Sequence, residues 1–363
     1  MYNSIQKSLS GLSLKSDFIK TKQVISIVGN GTRNDGSMLF DSADGQFLKG
    51  GLEYIDPIVY KPLRRFHWYR DMPILPGGGA IEFASWYTAQ YEAQSTNDNA
   101  ISGSANVVTK INANFEKHIS IVKAYAWATS LSWIDEMKMA QVGSSIPELQ
   151  DEGVMLYYNQ KLDNIAFFGM VDEGDADAFG LLNNTNISET PVTTEWVNET
   201  TPANEATPLE IFNDFNNFLL DIAEATAYDE TKKPNHALFG SKVFTKLSQP
   251  MVIGTENTGL ATSIIKYIKE NMALKYMYDA DGEDFMFFMN KYLTPSVGTN
   301  SRGVVYRYDR SVVRMPLPMD LTRGATMYNP TTLERLTTYV AFIGQVQFIY
   351  PNAIGYIGNI WTE

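Results

Sequence analysis

The chain has 363 residues, of which 44% are hydrophobic, 12% aromatic and 19% charged, which places it among folded proteins rather than disordered ones. Its formal net charge of −12 argues against a protein whose main work is gripping phosphate backbones, and the lack of cysteine removes disulfides, thiolate metal sites and cysteine nucleophiles together. The length sets an expectation of about two domains, and few charges with many aromatics suit a chain that buries outer surface against copies of itself.

Residues 1 to about 60 are rich in Ser, Gly, Asn and Lys. Up to Asn34 the acidic balance inverts, with Lys7, Lys15, Lys20, Lys22 and Arg33 facing only Asp17. This reads as an extended arm, solvated or subunit-contacting, with DNA contact as the sharper alternative. Its opening residues lack an apolar stretch of signal-peptide length, and no run in the chain approaches about 18 apolar residues. Neither secretion nor membrane insertion is indicated, and synthesis in a cytoplasm is expected.

From Ile74 a Pro/Gly turn precedes Ile81, Phe83, Trp86 and Tyr87 in β-favouring company, which predicts a strand. The polar segment "STNDNAISGSAN" reads as a loop tip, and Phe115, Ile119 and Ile121 carry one or two returning strands. Together they predict a long hairpin that needs a neighbour to lie on.

Helices follow. Ser132 with Asp135 opens "WIDEMKMAQ", and Ser145-Ile146-Pro147-Glu148 opens a longer helix with Val154, Tyr158, Leu162 and Ile165 on one face. Gly169 stands where a left-handed C-terminal cap belongs, and Gly153 weakens the helix interior by about 1 kcal/mol relative to Ala. Residues 188–206 read as loop or edge strand. Thr207-Pro208-Leu209-Glu210 opens another helix with Ile211, Phe212, Phe215, Leu219 and Ile222 as its apolar face. The strand-like "HALFG", "DFMFFMN" and "GVVYRYDR" then alternate with helical "SKVFTKLS" and "ATSIIKYIKENMAL". The chain ends in strands broken at Gly344 and Pro351-Asn352.

Catalytic motifs are missing: no phosphate-binding G-x-x-x-x-G-K-[ST], no G-x-S-x-G elbow and no H-E-x-x-H pair occurs, and "GNGTRN" holds only two glycines of a dinucleotide fingerprint. His67, His118 and His236 lie far apart in sequence, so a multi-histidine metal site requires folding to gather them. In "VDEGDADAFG", Asp175, Asp177 and Gly180 fit positions one, three and six of a calcium loop. Phe179 occupies a ligand position, however, and Asn186 replaces the bidentate Glu. "RRFHWYRDMP" interleaves Arg64, Arg65 and Arg70 with Phe66, Trp68 and Tyr69, a pattern shared by single-strand nucleic-acid grooves and by subunit contacts. Asp279, Asp281, Glu283 and Asp284 around Gly282 read as a solvated loop before an acid/base pair. No catalytic, cofactor or metal residue is assigned.

The order of these elements resembles the major capsid proteins of tailed bacteriophages, the HK97-type fold. Asn164, Gly169, Gly180, Leu181 and Asn183 match a pattern that follows the spine helix in that family, and Gly344 to Ile360 are similar to its closing strands. The resemblance covers roughly residues 60 to 363 and rests on the order of weak motifs. It implies an α+β fold with an N-terminal arm (1–60), an extended E-loop hairpin (61–130), a peripheral domain with the spine helix (131–206), an axial domain (207–325) and terminal strands returning to the peripheral domain (326–363). It implies a structural, non-enzymatic protein of the virion that assembles as hexamers and pentamers around double-stranded DNA held by enclosure. Portal and scaffolding proteins, and decoration proteins, are the implied partners. Some relatives join Lys to Asn between subunits; here the tip holds Asn97, Asn99 and Asn106 and the nearest lysine is Lys110, so no covalent mesh is expected. An arm that begins at residue 1 suggests a separate scaffolding protein. An encapsulin-like compartment shares the fold, and a cytosolic enzyme with an acidic site is the remaining alternative.

Overall fold

A computed structural model describes residues 66–78, 80–93, 110–142, 146–171, 174–253, 260–293 and 301–362, all within one unit spanning 65–363. The basic arm, "GNGTRN", Arg64, Arg65 and the hairpin tip with its three asparagines lie outside the described residues. A short helix α1 (Trp68–Asp71) leads into strand β1 (Ile74–Pro76). Strands β2 (Phe83–Ala93) and β3 (Ile111–Ser132) follow, antiparallel from Phe83 opposite Ile121 to Ala93 opposite Ile111. The returning limb is one strand of 22 residues. No glycine or proline interrupts Ile111 to Ser132, so nothing in the sequence forces a break.

Helix α2 (Trp133–Val142) starts after Ser132, and α3 (Ile146–Phe168) runs for 23 residues, about 35 Å at helical rise. Val154, Tyr158, Leu162 and Ile165 are all buried, the face that the spacing predicts. Gly153 is accommodated without a crowding partner, since a Cβ there would meet nothing within 4 Å. The capping position Ser145 lies outside the described residues.

After two short strands, β4 (Glu189–Pro191) and β5 (Val197–Asn198), helix α4 (Pro208–Ala225) begins with the predicted capping box, Thr207 and Glu210 satisfying each other's backbone. Then come β6 (His236–Phe239), α5 (Ser241–Ser248), β7 (Pro250–Ile253), β8 (Leu260–Ser263), α6 (Ile264–Asn271) and α7 (Lys275–Asp281). Strands β9 (Met286–Met289), β10 (Ser301–Tyr306), β11 (Val313–Leu317), β12 (Met319–Asn329), β13 (Glu334–Gly344), β14 (Gln347–Phe348) and β15 (Ile354–Thr362) complete the described chain. Strand β12, the partner of β13, is not marked in the sequence. Most of β12 is exposed, so it lacks the apolar alternation that marks a half-buried strand.

A mixed sheet in the order β4-β15-β10-β6-β9, with β5 beside β15, divides two cores. Leu238, Val304, Tyr306, Ile354 and Tyr356 face one core, shared with α3. Ala237, Phe239, Val305 and Ile357 face the other, shared with α4, α5, α6 and α7. Alternation along β6 and β10 therefore serves both cores at once, as a sheet covered on two faces requires. The second large sheet, β12-β13-β3-β2, is antiparallel. Within it β3 changes partner: residues Ile111–Ile121 pair with β2 and Val122–Ser132 with β13. A three-stranded sheet, β1-β11-β14, and the β7–β8 pair complete the fold among the described residues.

Candidate assembly surfaces and the polar seam

Opposed residues of β2 and β3 point to the same face of the hairpin, so the register decides which side chains meet. One face carries Phe83, Tyr87 and Tyr91 from β2 with Ile111, Phe115 and Ile119 from β3. All six are exposed, Tyr91 at 74% and Phe115 at 70%. The other face is polar, with Thr88, Gln90 and Glu92 opposite Glu116, Asn114 and Asn112. There His118 stacks on Trp86 at 5.3 Å and shares a hydrogen bond with Thr88 Oγ1 at 2.8 Å. β-Favouring residues mark the strand, and the register adds this face. The recurrence of Phe83, Tyr87 and Tyr91 every four residues, with Ala89 and Ala93 on the same parity, is the signal that marks it. Full burial of such a side chain contributes about 1.5–3 kcal/mol, so this cluster, which shares its face with Ser85 and Lys117, favours a partner surface.

The end of α3 is built by close backbone approach. Gly169 takes a left-handed φ of 75°, and a Cβ there would stand 2.0 Å from Ala178 O. Gly180 is equally confined, with Phe167 O 2.5 Å from its would-be Cβ. The returning segment satisfies the last carbonyls of α3: Leu181 N donates to Ala166 O at 3.0 Å and Leu182 N to Phe167 O at 2.9 Å. Asn183 Oδ1 accepts from Gly180 N at 2.7 Å while its Nδ2 donates to Phe168 O at 2.8 Å. This explains the pairing of Gly169 with Gly180, Leu181 and Asn183 in the sequence.

Of the residues weighed for metal or acid/base chemistry, Asp175, Asp281 and Glu283 have their carboxylates in ion pairs. Asp175 pairs with Lys123, Asp177 O accepts from Gln345 Nε2 at 3.0 Å, and Asn186 N donates to Asn184 Oδ1 at 2.9 Å. Asp281 pairs with the buried Lys233, and Glu283 binds Arg307 through both carboxylate oxygens. The Arg307 hydrogen bonds hold the Glu283 carboxyl below its usual range. Asp279 and Asp284 are exposed. Among the described residues no three His, Asp or Glu gather as a metal cluster.

Folding does bring His67 and His236 to one buried carboxylate neighbourhood. Asp163 projects from the buried side of α3, and its Oδ1 accepts His67 N at 2.9 Å and Trp68 N at 3.0 Å, capping α1 from a distant helix. Its Oδ2 accepts Tyr292 OH at 2.9 Å and lies 3.0 Å from Lys291 Nζ. Burial lowers the Lys291 pKa, but the bonds to Asp163 and Tyr292 outweigh it and the net direction is upward. Asp71, fully buried, is paired to Arg70 and accepts from Asn290 Nδ2 at 3.0 Å, while its backbone oxygen receives Tyr306 OH. Burial raises its carboxyl, yet His236 and Arg70 bring the net direction below the usual range. His118 stays on the hairpin. Of the Arg/aromatic run, Arg70 is spent on Asp71 and on the Phe288 ring at 4.5 Å. Asp163, an Asp among the apolar residues of α3, is the mark this cluster leaves in the sequence, and it was not singled out there.

The family model described as major capsid protein matches residues 97–360. The capsid of Myoviridae phage XM1 has a similar structure, with a TM-score of 0.63 at 14% identity over 85% of this chain and 97% of that one. A chain from Microbacterium phage Oxtober96 gives 0.52 at 12% identity, covering 89% and 99%. One from Mycobacterium phage Cain gives 0.51 at 12% identity over the same shares. No curated protein matches the sequence. No helix among the described residues is long and apolar enough to cross a membrane. The chain belongs to the major capsid protein family and has the HK97-type fold.

Proposed function

We propose that copies of this chain assemble as hexamers and pentamers into the icosahedral head of a tailed phage and enclose its double-stranded DNA without reading its sequence. The observation that carries this reading is the hairpin: its apolar face is exposed along both strands, and a copy of the same chain is the partner that a closed shell supplies. In this reading residues 1–60 are the arm, 61–130 the projecting hairpin and its flanks, 131–206 the peripheral domain and 207–325 the axial domain around which copies gather. Residues 326–363 return strands to the peripheral domain and, through β15, to the mixed sheet. The protein works by shape and contact rather than by catalysis, and no cofactor enters the proposal. A portal, a separate scaffolding protein and decoration proteins are the partners such a head requires or accepts, and the net charge of −12 keeps the wall from adhering to its contents.

Electron microscopy of the purified full-length chain tests this. Rings or closed shells are the expected result, and a monodisperse monomer under all assembly conditions would count against it. Neighbouring portal and terminase genes are expected beside the coding gene; a cargo enzyme there instead would favour an encapsulin-like compartment.

A further inference from the structure

We propose that His236 and Asp71 form an acid-released latch that holds α1 to the edge of the mixed sheet: the closed seam accepts a neutral imidazole, and a proton on it favours opening. This inference stands on the single subunit and does not depend on the assembly reading.

Asp71 is fully buried and His236 is 5% exposed. His236 Nε2 is buried without a hydrogen-bond partner, and stands 3.6 Å from Asp71 Oδ1, beyond hydrogen-bond distance. The carboxylate is already taken by Arg70, from α1, and by Asn290, from the chain just after β9. Around the imidazole stand the rings of Phe288 from β9 at 4.6 Å, and of Tyr306 and Tyr308 from β10 and the residues after it, at 5.1 and 5.3 Å. The charged groups acting on it are Asp71 and Arg70, both on α1, while Tyr306 and Tyr308 are the titratable groups in contact and both phenols are shifted upward, chiefly by burial.

With His236 neutral, one cation and one anion balance inside the seam. A proton on Nε2 leaves an excess positive charge in an aromatic enclosure whose only carboxylate is already satisfied, which is costly. Burial accordingly lowers the His236 pKa, only partly offset by Asp71. The direction sets the sign. The closed state resists the proton, whereas an opened imidazole titrates near the ordinary value of about 6.5. Closure is therefore fully favoured above that value and is weakened as pH falls below it, until the closed-state pKa is reached.

The latch holds a defined contact. Arg70 Nη2 donates to Met289 O at 3.0 Å, Asn290 reaches Asp71, and Tyr306 reaches the Asp71 carbonyl. Opening frees α1 from β9 and β10 while Asp163 still caps the start of α1.

Hydrogen exchange of the full-length chain, corrected for the intrinsic pH dependence of exchange, tests the inference at pH 7.5 and 5.5. The expected result is a loss of protection of up to about tenfold in residues 70–71 and 286–289 at the lower pH, the ceiling being that of an imidazole that protonates only when released. The loss should vanish in His236→Gln and persist in His67→Gln and His118→Gln. Unchanged or increased protection of the wild-type chain at pH 5.5 overturns the latch, whatever the variants do. So does an undiminished loss in His236→Gln. Should His236→Gln fail to fold, His236→Leu, which keeps an apolar filling between the rings, provides the same comparison.

Discussion

Gly180 and Asn183 show how little chemistry is needed to end a long helix in the right place. A methyl group on Gly180 would sit 2.4 Å from Phe167 C and 2.5 Å from Phe167 O, both backbone atoms that cannot swing aside. Gly180→Ala is therefore expected to destabilise the subunit by about 1–3 kcal/mol, measured by denaturant unfolding; a change within about 0.5 kcal/mol would mean that the turn relaxes freely. Asn183→Ala removes two hydrogen bonds at once and is expected to cost about 1–3 kcal/mol, because Phe168 O is left half-buried without that donor. Both residues were legible as a pattern, glycine then asparagine at fixed offsets from a helix end. Asp71 was not. A carboxylate beside Arg70 and Trp68 reads as surface, and only the 219 positions separating it from Asn290 explain why it is inside.

At the scale of elements, helical spacing and cap chemistry identified α3 and α4, since both are decided by neighbours within four residues. Leu162 sits at the centre of the buried face of α3, with none of its surface exposed. Leu162→Ala is expected to cost about 2–5 kcal/mol by thermal or denaturant melting. The strands were harder. The six-position mixed sheet joins β4, near residue 190, to β15, near residue 357, and such pairing leaves no local mark. β12 escaped notice because its exposed face gives no alternation to read. The hairpin was visible as two apolar limbs around a polar tip, whereas its one-sidedness shows in the recurrence of Phe83, Tyr87 and Tyr91 only once the register is known. Tyr91→Glu with Phe115→Glu places two charges on that face, opposite no buried partner within the subunit. The folded subunit should keep its melting temperature within a few degrees, while shell yield in micrographs should drop at least tenfold. Wild-type yield would separate the hairpin face from assembly.

At the scale of the whole molecule, one sheet supplies both cores, so neither core can lose its packing without exposing the back of the other. The expected calorimetric trace for the subunit is a single cooperative transition for residues 65–363, and two well-separated transitions would show that the cores melt independently. The covalent state of the particle is a separate question. Lys110 stands at the start of β3, outside the asparagine-bearing tip, and denaturing gels of assembled particles are expected to show monomer alone; ladders of multiples would overturn the reading drawn from the tip. The family was legible in the sequence through the order of its elements, although single motifs were weak, because order survives substitutions that erase local similarity.

Strand β3 does one more thing. Its first half belongs to the projecting hairpin and its second half to the sheet lying on α3, and the exchange occurs where Ile121 O receives Gln345 N at 2.9 Å and Val122 N meets Glu82 O at 2.9 Å. At about 3.3 Å per residue, its 22 residues form an unbroken beam of about 70 Å pinned near its midpoint. A load applied to the far end has no joint in which to dissipate. It becomes torque about Ile121 and Val122, so whatever surface the hairpin rests upon also sets the tilt of the sheet above the spine.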